Sequence, residues 1–569
     1  MRTPSRIAWS SLAVSIACIS ASTNPTVTLD EATVIGTSND SITSFFGIPF
    51  AEPPVNELRL RLPKPITSYN GTINATVPAT QCLQMAPGLR SDLPVNILQV
   101  MAEYFGADTT PSEVPQNEDC LSISVQVPVG TSPDDKLPVL VQFFGGGFTY
   151  GSTAQNPGDA VVRRSVEMGQ PIIYANMNYR VGVFGFLGGK EVKEAGVGNL
   201  GLQDQRAALQ WIQKYISIFG GDPDKVTIWG QSAGAISVGL QMVANNGDNE
   251  GLFRGAIMES GSPLPTGDTE LQQPSYDTVV QHAGCAGEAD TLECLRGVSA
   301  DTLMAAAEAV PNLFDYPGLA QAWAPRADGV FLEAPPQHLV LSGKVADVPL
   351  ISGNALDEGT IFATGSFNVT TDDEFQNFIH DHFFSNMSKA ALAPLFDLYP
   401  NDPAAGSPFG TGIANQLAPQ YKRMAAIQGD IVFQAPRRFF LEQRSLKQPT
   451  WSYMSERGGV AGLGYPHGSD FGPVRVGNDL TDYVIQFTTT LNPNGVSNGT
   501  IEWPQDDPVN PNSVAIGSSN RTIEWPQYDP VNRSILRLVD GDEPLKIGQD
   551  TDRLEAMAGL TAYTIAQPF

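Results

Sequence analysis

Residues 225–244 restrict what this chain can become more than any other stretch. Lys225-Val-Thr-Ile-Trp229 is a short run of branched and aromatic residues, the composition of a buried strand. It ends in Gly230-Gln231-Ser232-Ala233-Gly234, and a helix-forming run, Ala235-Ile-Ser-Val-Gly-Leu-Gln-Met-Val-Ala244, follows at once. A strand that becomes a helix over so few residues brings two backbones close together. Gly230 and Gly234 are the positions where a Cβ would collide. The same turn lifts the Ser232 hydroxyl above the sheet, in front of a helix N-terminus. Gly-x-Ser-x-Gly is a common string by itself; the strand before it and the helix after it make Ser232 a candidate nucleophile.

Strand-like and helix-like segments alternate around that turn. Leu137-Pro-Val-Leu-Val-Gln-Phe-Phe144, Pro171–Met177, Gly255–Ser260, Val348–Ser352 and Pro449–Met454 are apolar runs, and Gln205–Tyr215 has helical spacing. Unbroken apolar strands alternating with helices predict an α/β fold, a large mostly parallel central sheet with helices on both faces. In such a sheet the chemistry collects at the carboxyl ends of the strands, and each motif below falls just past such an end.

A serine hydroxyl is a weak nucleophile and needs a base, usually an imidazole held by a third group. On this type of sheet the chain order is serine, acid, histidine. The chain has five histidines. His282 and His338 precede the candidate acid. His380 and His382 lie in a segment, 373–384, that reads as an amphipathic helix with both on its solvated face. His467 lies in the glycine-rich loop Gly462-Leu-Gly-Tyr-Pro-His-Gly-Ser-Asp470, a few residues past the strand 449–454, and is the expected base. The acid is expected in Ile351-Ser-Gly-Asn-Ala-Leu-Asp357-Glu358-Gly359, where Asp357 and Glu358 are equally suitable on chemistry. An anion formed at the attacked carbonyl needs backbone N–H donors. Gly145-Gly146-Gly147-Phe148 follows the strand 137–144, and Ala233 follows the nucleophile. No Walker lysine accompanies the glycines, so a phosphate cradle is not the reading. No ligand cluster supports a metal, and no cofactor is implied.

Charge and cysteine usage narrow the setting. A formal charge of −27 argues against nucleic acid and anionic membrane surfaces as partners. Residues 1–22 read as a secretory signal: Arg2 and Arg6, an apolar run through Ile19, then Ser20-Ala21-Ser22. The remaining cysteines are Cys82, Cys120, Cys285 and Cys294, an even set that suits two disulfides in an oxidising compartment. Eight Asn-x-Ser/Thr sequons, among them Asn70, Asn368 and Asn386, fit a secreted glycoprotein. The expected division is a signal over 1–22 and one elaborated domain over 23–569. Thr500–Asn510 recurs as Thr522–Asn532 with one difference, which is read as a duplicated surface segment over 500–532.

Phe46-Gly-Ile-Pro-Phe-Ala-Glu-Pro-Pro54, Glu118-Asp-Cys-Leu-Ser-Ile-Ser-Val125, Gly145–Phe148, Asn178-Tyr-Arg180, Gly198–Asp204, Phe219–Pro223 and the Ser232 turn occur in an order that resembles the type-B carboxylesterase and lipase family, which includes cholinesterases and fungal lipases. The resemblance covers about residues 25–567. It implies the α/β-hydrolase fold and ester hydrolysis through an acyl-enzyme. It also implies Glu358 rather than Asp357 as the acid, Gly146, Gly147 and Ala233 as oxyanion donors, and the pairings Cys82–Cys120 and Cys285–Cys294. Two departures stand out: Gln231 where many members carry Glu, and the extra copy of the Trp-Pro-Gln segment at 503–508.

The loop 82–120 lacks a Trp, which argues against choline esters as substrates. Lipid or small-molecule esters remain. Leu93, Ile97, Leu98, Met101 and Phe105 recur at helical spacing in that loop. They fit either a surface helix packed on the core or, as in fungal lipases, a lid that would make transient contact with a lipid interface. The rival reading of the whole chain is a non-catalytic binding protein of the same fold. No motif specifies an oligomeric state.

Overall fold

A computed structural model of the chain describes residues 24–85, 92–105, 114–471, 479–494 and 523–569. The signal segment, the first copy of the duplication and sequons Asn498 and Asn520 lie outside them. The main sheet has eleven strands: β1 (Thr37–Ser38), β2 (Ile42–Pro49), β3 (Ser122–Pro128), β4 (Leu137–Phe143), β5 (Ile173–Met177), β6 (Gly221–Gln231), β7 (Gly255–Glu259), β8 (Leu350–Ala355), β9 (Thr450–Glu456), β10 (Ser534–Val539) and β11 (Leu545–Gln549). Their spatial order is β11-β10-β9-β8-β7-β6-β4-β5-β3-β2-β1. Every pair from β5 to β10 across this order is parallel. The β1–β2, β2–β3, β3–β5 and β10–β11 pairs are antiparallel. The order switches at β4, with β5 on one side of it and β6 on the other. This switch lays the loop after β4 beside the turn after β6, the crevice where such sheets bind ligands.

The central strands β5, β7 and β8 are buried at every residue because both faces of the sheet are covered there. Val139, Val141, Phe143, Val226, Ile228, Ala256 and Met258 belong to one core. Leu140, Trp229, Ile257, Ile351, Trp451 and Tyr453 point the other way into a second. The helices that matter for the site are α1 (Val95–Phe105), α2 (Asp159–Glu167), α3 (Leu200–Tyr215), α4 (Ala233–Val243), α5 (Asp372–Phe383), α6 (Tyr421–Gly429), α7 (Ala435–Arg444), α8 (Asp479–Thr490) and α9 (Leu554–Ala566). Residues of α3, α4, α6, α7 and α9 fill the first core; residues of α2 and α8 fill the second.

A π-helical turn, Asp430–Gln434, joins α6 to α7. Pro436, the second residue of α7, has no N–H to give the carbonyl four residues back, and its ring would crowd that carbonyl. Widening the helix before it relieves both. Asp430 in this turn holds the Arg553 guanidinium through two bonds of 2.8 and 2.9 Å.

The described copy of the duplicated segment carries two buried rings. Trp525 and Tyr528 are 1% and 2% exposed. The Trp525 indole N–H donates to Ser452 O at 2.9 Å, and its ring packs edge-on against Tyr453 and Tyr483. A Trp whose N–H finds a backbone acceptor can be buried at no polar cost. The segment is thus anchored beside β9 by the Trp525 and Tyr528 rings, while Glu524, Gln527, Val531 and Asn532 stay exposed.

Candidate active site

The turn after β6 departs from ordinary backbone at one residue. Ser232 has φ 58° and ψ −128°, a conformation that non-glycine residues adopt only when their surroundings hold them in it. Its N–H donates to Glu259 O, and its carbonyl accepts from Ile236 N–H, both at 2.9 Å. A Cβ on Gly230 would stand 2.3 Å from Gly234 C, and one on Gly234 would stand 2.0 Å from Phe143 O. Gly230 therefore answers to the strand–helix collision read from sequence. Gly234 answers to the neighbouring strand β4.

The loop after β4 runs against this turn. Gly146, Gly147 and Phe148 all have positive φ, 109°, 60° and 61°. A Cβ on Gly145 would lie 3.1 Å from Ser232 Cβ. Helix α4 begins at Ala233, and the first N–H groups of a helix have no acceptor within it. Gly147, Ser232 and Ala233 line one cavity, and Gly146 precedes Gly147 in the same loop.

His467 and Glu358 meet because two loops pair. Asp357 and Pro466 form an isolated parallel bridge, with Asp357 N–H donating to Tyr465 O at 3.0 Å. The next residue on each side is Glu358 and His467. His467 Nδ1 lies 2.5 Å from Glu358 Oε2, and His467 Nε2 lies 2.7 Å from Ser232 Oγ. Glu358 Oε1 accepts the Ala355 N–H at 2.8 Å. The carboxylate is 1% exposed. Asp357 points elsewhere: Oδ1 accepts from the Ser407 hydroxyl at 2.7 Å and Phe409 N–H at 2.9 Å, and Oδ2 from Tyr465 N–H at 3.0 Å. Burial raises its pKa, against those three bonds and Arg553. The residue pair left open by spacing thus divides into an imidazole partner and a loop clamp.

Several neighbours of the base were invisible in the sequence. The rings of Phe433 and Phe362 flank His467 at centroid distances of 4.5 and 5.2 Å. Gln231 Nε2 is 3.4 Å from His467 Nε2. The Tyr104 hydroxyl, on α1, donates to His467 O at 2.5 Å. Two further acids are buried close by. Burial and the nearby Asp470 push the Glu259 carboxyl well above the usual range. Burial, with Glu358 adding, pushes Asp470 up to about 6, against the Tyr453 hydroxyl bond and His467. No spacing rule would find these, since they sit at the end of β7 and three residues past the base.

His338 and His382 are occupied otherwise. His338 Nε2 lies 2.8 Å from Ile565 O. His382 is half-buried rather than solvated, packed on Phe378 and Tyr316, and burial lowers its pKa. Among the described residues no cluster of three His, Cys, Asp or Glu could hold a metal. No described helix is long and apolar enough to cross a membrane. Disulfides join Cys82 to Cys120 and Cys285 to Cys294.

The profile of the carboxylesterase family matches residues 23–533. The chain is 44% identical over 505 residues to Secreted lipase 1 of Botryotinia fuckeliana, covering 84% of this chain and 87% of that one. It is 42% identical over 500 residues to Secreted triacylglycerol lipase LIP1 of Gibberella zeae, with 84% of each covered. The crystal structure of Aspergillus niger EstA superposes with a TM-score of 0.77 at 25% identity, over 96% of this chain and 99% of that one.

Proposed function

Because the chain belongs to the carboxylesterase family and is a carboxylic ester hydrolase, we propose that it works as a secreted enzyme through an acyl-enzyme on Ser232. The observation that carries this is the unbroken line Ser232 Oγ–His467 Nε2–Nδ1–Glu358 Oε2, at 2.7 and 2.5 Å. His467 Nε2 takes the serine proton as Oγ attacks the ester carbonyl. The N–H groups of Gly146, Gly147 and Ala233 receive the oxyanion; one such donor is typically worth about 10²–10³ in rate. The imidazolium then protonates the leaving alcohol. Water, deprotonated by His467, releases the acid and restores Ser232. Glu358 keeps the Nδ1 proton in place and offsets the imidazolium charge. Asp357 positions the loop.

Secretion rests on the 1–22 segment, the two disulfides and the names that the two lipases carry. Those names also favour lipid esters. We read the described part of 82–120 as the cover of this site. Ile97 and Met101 on α1 are fully buried, Met101 Sδ accepts from the Thr364 hydroxyl, and Tyr104 ties α1 to the carbonyl of the base.

A fluorophosphonate probe tests the reading. It should label wild-type protein on Ser232 and leave Ser232→Ala unlabelled, with ester hydrolysis down by about 10⁴-fold or more. Labelling at another residue, or a few per cent of activity left in Ser232→Ala, would overturn it.

A further inference from the structure

We infer that Phe569 sets the upper acyl length this enzyme accepts; the inference rests on the reading of Ser232 as the nucleophile. Beside Ser232 lies a cavity of only about 30 Å³, enclosed by Ile236, Leu264, Leu319, Val432 and Phe433. A water needs roughly 10–15 Å³ on that scale, so this space takes only the first few atoms of an acyl chain. A second cavity of about 360 Å³ adjoins it, lined by Val310, Pro311 and Pro317 and also by Asp381, His382 and Gln567. The two share three wall residues: Gln321, Arg326 and Phe569.

That wall is held in place by its backbone and closed by one ring. Phe569 N–H donates to Pro265 O at 3.1 Å, and Phe569 O accepts from Gly267 N–H at 2.8 Å and from the Arg326 guanidinium. The Arg326 backbone is fixed in turn by both side-chain atoms of Asn199. The Phe569 ring meets Phe383 edge-on at 5.0 Å, and the residue lines both cavities. The other two members are hostile to hydrocarbon. Gln321 Oε1 is buried with no hydrogen-bond partner, and so is Arg326 Nε. Burial lowers the Arg326 pKa to about 10. An alkyl chain in contact with them offers neither atom a hydrogen-bond partner. A chain long enough to reach the wall is therefore stopped by a ring it must displace and by polar atoms it cannot satisfy. Removing the ring takes away the one apolar member of the shared wall, so the acyl site should then extend toward the 360 Å³ space.

The test compares p-nitrophenyl esters from acetate to palmitate in detergent micelles, so that no emulsion interface enters. In Phe569→Ala the ratio of palmitate to butyrate kcat/KM should rise by about tenfold or more, the scale on which a hydrophobic pocket responds to one or two methylenes. Phe569→Trp, which keeps an aromatic wall and guards against misfolding of the smaller variant, should lower octanoate and longer esters while sparing acetate. Inactivation by butyl and hexadecyl fluorophosphonates should follow the same ratios. Ratios that stay put in both folded variants, or butyrate and palmitate moving in parallel, would overturn the assignment of Phe569. Absence of butyrate hydrolysis in the wild type would instead overturn the reading of Ser232.

Discussion

Glu358→Gln and Asp357→Asn are adjacent, near-isosteric changes that should do different things. Glu358 faces two donors, Ala355 N–H at 2.8 Å and His467 Nδ1 at 2.5 Å. A glutamine has one acceptor oxygen for the two. If that oxygen keeps the Ala355 N–H, the amide NH₂ faces His467 and forces Nδ1 to accept, so Nε2 carries the proton and cannot take one from Ser232. If the amide flips, the buried Ala355 N–H loses its acceptor at a cost of about 1–3 kcal/mol. The flipped amide is thus disfavoured, and the wrong tautomer dominates. Loss of the correct tautomer in a serine triad costs about 10⁴ in kcat, or about 5 kcal/mol in the barrier. Asp357→Asn leaves His467 and Glu358 facing each other but removes one acceptor from Ser407, Phe409 and Tyr465. One buried donor is left unpaired, so about 1–3 kcal/mol of stability should go, with kcat/KM within about tenfold of wild type. Steady-state hydrolysis of p-nitrophenyl butyrate, with denaturant midpoints measured alongside, separates the two. Greater loss of rate in Asp357→Asn, or a Glu358→Gln enzyme within tenfold of wild type, would refute the division of roles.

Two other expectations follow from the same neighbourhood. Asp470 is held near 6 in the folded protein, against 3.8 for an unperturbed aspartate. Between those values the folded state keeps a proton that the unfolded chain has lost. Stability should therefore be fullest below pH 4 and fall as pH rises through 6, by up to about 3 kcal/mol from this group. Asp470→Asn should flatten that slope between pH 4.5 and 7.5, and an unchanged slope would mean another group supplies it. On α1, Leu98 is only half-buried whereas Met101 is fully buried, so Leu98→Asp is the cleaner probe of a cover. It should leave a dissolved short-chain ester within about threefold and depress hydrolysis of the same ester once emulsified more strongly; equal loss on both would make α1 a structural helix.

What the sequence disclosed depended on how local the signal was. The strands were legible because burial on both faces leaves runs such as Val139–Val141 with no polar alternation. The turn at Ser232 was legible because two glycines and a strand-to-helix switch lie within a few residues. His467 emerged by elimination among five histidines. The choice between Asp357 and Glu358 was not legible from local chemistry, since the bridge to Pro466 decides it and that partner is 109 residues away from Asp357 in sequence (466 − 357). The same holds for Tyr104, Phe362 and Phe433 around the base, which arrive from three separate elements. The burial of Trp525 was not legible for the opposite reason. A repeat rich in Pro, Asp and Asn has the composition of a loop, and only the pairing of its indole with Ser452 makes it core.

The strand that leads into Ser232 is sixth of eleven from either edge of the sheet. Fraying of a sheet begins at its margins, and central strands open only with the whole molecule. β1 and β11 can breathe without disturbing the nucleophile's strand. His467 arrives on a loop eleven residues past the end of β9, held by the Asp357–Pro466 bridge and the Tyr104 hydroxyl. The triad therefore joins the most slowly exchanging backbone of the protein to one of its more easily loosened connections. Heat or mild denaturant should silence the enzyme by releasing its base long before the serine's strand unravels, and that early loss reverses on cooling because the sheet that receives the base is still intact.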